Sequence, residues 1–175
     1  AVDPYALSNA SGDSEEQKRS TVKRRSKNED NRRNVLDSRF KLKTRRKTLK
    51  RIFQEMTSIS CDDFPFSSAV MSRLFLEDVY LYYCEDVIGK APHRKMHVVV
   101  KDVIANIETN QDQLCIDEKK PLEALKRVQA NETNVLSPQT LGGFAHAAYT
   151  PDPKQIKREW DNIRDIVEFM AGKIN

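Results

Sequence analysis

From Phe64 to Ile107 the chain reads FPFSSAVMSRLFLEDVYLYYCEDVIGKAPHRKMHVVVKDVIANI, and no other stretch limits the fold as much. Val70, Met71, Leu74, Phe75, Val79, Tyr82, Tyr83, Val87 and Ile88 recur at intervals of three and four, the period of a helix. The stripe is wide, so this helix must be covered over much of its circumference. The pattern predicts a start near Ser67, with Ser67 or Ser68 as cap, and an end at Gly89 and Pro92. Val98, Val99 and Val100 alone would suit a strand. Val103, Ile104 and Ile107 continue the pattern at helical spacing, which predicts a helix from about Val99.

The flanks are weaker versions of the same signal. Leu36 and Phe40, then Leu49, Ile52, Phe53 and Met56, predict a short helix near 33–40 and a second from about Lys47 to Thr57. TSISCDDFPFSS is loop chemistry. Beyond a polar loop, Pro121 suits a helix start and PLEALKRVQA a short helix. LGGFAHAAY is too rich in glycine for an assignment. Asp152 and Pro153 open the last helix. Ile156, Trp160, Ile163, Ile166, Val167 and Met170 form its apolar face, opposite Lys157, Arg158, Asp161, Arg164, Asp165 and Glu168. The expected fold is mainly α: a helical domain over 47–175 behind a basic, extended arm over 1–46. Within that domain, 47–107 is a central three-helix unit and 118–175 holds the C-terminal helices. Residues 1 to about 31 carry too little apolar surface to offset their ordering entropy, so a flexible arm is expected.

Charge is divided along the chain. Lys18 to Arg51 holds sixteen Lys or Arg against Glu29, Asp30 and Asp37, about +13, while the remainder is about −9. Lys23, Arg24, Arg25, Lys27, Arg32, Arg33, Lys41, Lys43, Arg45, Arg46, Lys47, Lys50 and Arg51 read as a cationic track. A solubilising or import tail is the plain alternative, and KRR is compatible with import. So many close cations favour phosphate binding by counterion release. Only Phe40 is interleaved, so base stacking and sequence readout are not indicated. No apolar run approaches the ~20 residues that span a bilayer, and no membrane association is expected. AVDPYALSNA lacks a basic region followed by an apolar core, so no signal peptide is expected. Cys61, Cys84 and Cys115 are odd in number and widely spaced, which points to a reducing intracellular compartment.

Catalytic and metal signatures are lacking. His93 and His97 are four apart, but Pro92 places them at a loop and no further ligand has a partner spacing. Glu77–Asp78 and Glu85–Asp86 are neighbours on a helix, where side chains diverge; they suit a solvated face or ion pairs with a basic neighbour. Leu141-Gly142-Gly143-Phe144 lacks the Lys and Ser/Thr of a phosphate loop. The expectation is a protein that is not an enzyme, with no cofactor and no metal.

Helix, loop, long helix, loop, helix over Lys47–Thr57, Ser58–Ser67, Ser68–Gly89, Lys90–His97 and Val98–Ile107 resembles the histone fold. FLEDV at Phe75–Val79 is similar to the FLENV of one core histone, Arg94-Lys95 to the basic pair of the second loop, and Lys101-Asp102-Val103-Ile104 to the start of the last helix. The likeness covers about sixty residues of 175; Met96 stands where the family favours Thr, and the central helix is about a turn short. It implies DNA phosphate contacts through the loops, Arg94 and Lys95 among them, and obligate pairing with another such chain. Leu74, Phe75, Val79, Tyr82 and Trp160 are the expected contacts to a partner subunit. The leading expectation is a nucleic-acid-associated structural subunit of a larger assembly, located in the nucleus. The alternative is a capsid or coat subunit, located in a virion, whose arm reaches packaged genome or neighbouring subunits.

Overall fold

A computed structural model describes residues 31–37, 39–114, 116–131, 134–137 and 150–175. The protein is mainly α-helical: α1 is Lys47–Ser58, α2 Pro65–Tyr83, α3 Met96–Thr109, α4 Ile116–Ala130 and α5 Pro153–Lys173. A π-helical turn, Cys84–Ile88, prolongs α2, and a 3-10 turn, Gln111–Gln113, precedes α4. No strand occurs among the described residues. The central helix packs against α1, α3 and α5; α5 lies along α4, and α4 also meets α3.

The helix ends follow local chemistry, with two departures from expectation. Gly89 stops the central helix at φ 72°, a left-handed conformation that glycine adopts without steric cost. Asp152 caps α5 by accepting the Lys154 N–H at 3.1 Å. The central helix, however, starts at Pro65 rather than at a serine cap. Proline has no N–H to leave unsatisfied in a first turn, so it serves there. Helix α4 begins before Pro121, which sits inside it and forfeits one backbone bond.

The larger departure lies upstream of α1. The expected helix near 33–40 is replaced by bends and a turn among the described residues. Residues 31–37 and 39–46 form a strap fixed to the helical body rather than part of a free arm. Val35 is 1% exposed, Leu36 4% and Phe40 3%. The Phe40 ring lies 5.8 Å from those of Phe53, Phe75 and Trp160, and Phe75 lies 5.9 Å from Trp160. That cluster joins the strap, α1, α2 and α5 in one core. The described core therefore includes side chains from ahead of the expected boundary at 47, because burying them outweighs the entropy of ordering a short connection. Residues 1–30, the remainder of the expected arm, lie outside the described residues.

The apolar face of α5 is buried as the pattern implies: Ile156, Trp160, Ile163, Ile166, Val167 and Met170 are all fully covered. Lys157 was expected on the opposite, solvated face and is instead 1% exposed. Its ammonium donates to the Arg32 carbonyl at 2.9 Å and to Asp62 at 2.8 Å. The strap supplies that carbonyl, so a buried charge becomes tolerable only once the strap is in place.

Candidate nucleic-acid interface

Along Lys41-Leu42-Lys43-Thr44-Arg45-Arg46 exposed and covered residues alternate, and Arg46 is extended where it enters α1. Leu42 packs on the core, Thr44 is buried and Arg46 turns inward. Lys41, Lys43 and Arg45 are exposed. Lys47, Lys50 and Arg51 continue the exposed row on α1. Arg51 is engaged by Glu55 at 2.7 Å, an exposed pair of small energetic weight. Lys43, Arg45, Lys47 and Lys50 have no ion-pair partner among the described residues.

The cationic track is thus divided by the fold. Arg46 forms a salt bridge with Asp86, reaches Glu85 at 3.5 Å, and lies over the Tyr82 ring at 4.4 Å. The Asp86 hydrogen bond, despite some desolvation, holds the Arg46 pKa above its ordinary value. Arg32 pairs with Asp161 at 2.6 Å and donates to the Lys157 carbonyl at 2.9 Å. Arg32 and Arg46, both expected at phosphate, pair with carboxylates of the helical body and hold the strap. Arg33 is exposed and 3.7 Å from Asp63. Arg94 and Lys95 are exposed on the loop that leaves the end of the central helix. Arg46 anchors the start of α1 to that same end, through Asp86. Lys23, Arg24, Arg25 and Lys27 lie outside the described residues.

The acidic pairs divide similarly. Glu85 and Asp86 are the ion-pair partners of a basic neighbour, one of the two roles their sequence allowed. Glu77 pairs with Arg73 at 2.7 Å. Burial pushes the Asp78 carboxyl above its usual range, the Glu77 charge adds to that, and Asp78 Oδ2 is buried without a hydrogen-bond partner. His93 Nδ1 accepts the Lys95 N–H at 3.0 Å, a local turn contact before α3. No group of three or more His, Cys, Asp or Glu could hold a metal among the described residues. Burial raises the pKa of Cys61 and Cys84, which keeps both thiols protonated and makes them small core residues.

Several expected partner contacts are core residues. Phe75, Val79 and Trp160 are 0% exposed, covered by the strap, α1 and the other helices of this chain. They offer no surface to a second chain. The reason lies in Phe40 and α5, which close over the inner face of the central helix. Tyr82 is half-buried beneath Arg46. Leu74 alone of the five is open, at 41%, and Phe64, Phe66 and Val70 are open beside it.

Two features escaped the sequence pattern. The period-two alternation of 41–46 was legible but overshadowed by its charge. The Asp86 clamp was not legible, since forty residues separate its halves. No protein-family model, no curated protein and no solved structure matches this chain.

Proposed function

We propose that the protein is a non-enzymatic, nucleic-acid-associated structural subunit that binds the phosphate backbone through its strap and α1. One observation carries the reading: Lys43, Arg45, Lys47 and Lys50 are exposed without carboxylate partners among the described residues, while the inward arginines fix the backbone that presents them. The start of α1 adds to it. This turn has no side-chain cap and no acidic residue, and it carries lysines that oppose the helix dipole. Its free N–H groups and cations together suit an anion such as a phosphate. The contacts are to the backbone and carry no sequence preference.

The test is a combined Lys43→Gln, Arg45→Gln, Lys47→Gln, Lys50→Gln variant. These side chains make no ion pair among the described residues, so the fold should survive, with unchanged circular dichroism. On duplex DNA, the slope of log K against log salt should fall in magnitude by about 3–4. An unaltered slope overturns the role of the strap.

The reading also includes assembly with further protein subunits. Phe66, Val70 and Leu74 are four residues apart on one side of α2 and are 39–41% exposed, an apolar row that a partner would cover. Sedimentation should rise with concentration for the native chain and stay flat for Val70→Glu. A flat native profile counts against self-assembly. Closed many-copy shells would favour the coat-subunit reading over the histone-like one.

A further inference from the structure

We propose that a cleft at the converging C-terminal ends of the central helix, α3 and α5 takes one unpaired, amino-bearing nucleobase of a single-stranded nucleic acid. The inference rests on the phosphate-binding reading above and adds to it the class of strand. The cleft holds about 210 Å³ and is lined by Tyr83, Asn106, Asn110, Gln113, Phe169 and Lys173, among others. That is room for about seven waters, the scale of one flat heterocycle.

Three features select the occupant. First, helix C-termini carry partial negative charge, and three of them meet here, so an anion is disfavoured and hydrogen-bond donors are favoured. Second, free acceptors are present. Asn110 Nδ2 donates to the Asn106 carbonyl at 2.8 Å, which leaves Asn110 Oδ1 to accept, and the Gln113 carboxamide has no partner among the described residues. Carboxamides match the edges of bases, and the exocyclic amine of adenine, cytosine or guanine offers two N–H donors, one for each of these acceptors, where uracil and thymine offer only the single imide N3–H. Third, the half-buried Phe169 ring gives an aromatic wall, and Tyr83 Oη is fixed by donating to Asn106 Oδ1 at 3.3 Å.

Position supports the same occupant. The Lys173 ammonium lies 5.3 Å from the centre of the Phe169 ring, and Lys173 is exposed. Two residues on, the Asn175 carbonyl accepts from Thr44 Oγ1 at 3.3 Å, and the Asn175 N–H donates to Asp86 at 3.1 Å. The cleft therefore adjoins the strap at Thr44, between outward Lys43 and Arg45. A strand whose phosphates follow those cations can turn one base into the cleft.

Fluorescence anisotropy on the full chain tests this with three probes: a short oligodeoxycytidylate, the same length of oligothymidylate, and a chain of abasic sites with equal phosphates. The cytidylate should bind about tenfold tighter than the abasic chain, with thymidylate between. Asn110→Leu combined with Gln113→Leu should lower cytidylate affinity to the abasic level and leave the salt slope unchanged. Equal affinity for cytidylate and the abasic chain, with a salt slope present, overturns the cleft and leaves the phosphate reading standing. Discrimination that survives the double variant also overturns the cleft. Absence of binding to every probe overturns both readings.

Discussion

Trp160→Ala is expected to lower the stability of the isolated chain by about 3–5 kcal/mol, a large part of what a domain of this size possesses. The indole is 0% exposed and sits 5.8 Å from Phe40 and 5.9 Å from Phe75, ring centre to ring centre. Its removal leaves a cavity where three separate segments meet, and rigid neighbours collapse only partly into such a space. Trp160→Phe should cost far less. It keeps aromatic surface in place and discards an Nε1–H that has no hydrogen-bond partner. Chemical denaturation of the two variants measures both effects. Native fluorescence should be blue-shifted and protected from soluble quenchers without any partner present. An exposed signal in the isolated chain would show that α5 is not docked as described.

The second large effect concerns the strap. A chain starting at Lys47 should lose cooperative folding, while one starting at Asn31 retains every contact of the described residues. The cut at 47 removes Val35, Leu36 and Phe40, each almost wholly buried, and the half-buried Leu42. At about 1.5–3 kcal/mol for each large apolar side chain, the loss rivals the whole stability of a small domain. It also exposes the faces of Phe53, Phe75 and Trp160 that Phe40 covers, and deprives Lys157 of the Arg32 carbonyl. Thermal melts followed by circular dichroism compare the two truncations. A sharp, unshifted transition for 47–175 would show that the strap is an ornament on an independent body.

The sequence by itself determined the strongly periodic helices, though not the short one expected near 33–40. Repeats of three and four over 70–88 and 156–170 place α2 and α5 within a few residues, and Gly89, Asp152 and Pro153 mark ends by chemistry local to each residue. Local signals of this kind need no knowledge of the rest of the chain. The same holds for the charge of the strap, which any folding would leave cationic.

What only the tertiary structure decided is which side of each element is covered, and by what. Phe75 and Leu74 are adjacent in the sequence and equally apolar, yet one is 0% and the other 41% exposed. Periodicity gives a face, while coverage depends on Phe40 and Trp160, which arrive from far along the chain. Arg45 and Arg46 were indistinguishable as cations; Arg46 is held because Asp86 lies opposite it, and Arg45 is exposed in a strap whose coverage alternates. Lys157 read as a solvent residue until the strap brought a carbonyl to it. The cleft beside Lys173 likewise exists only where three helix ends converge. Such features are pairings between distant segments, and a linear pattern encodes the partners without encoding the meeting.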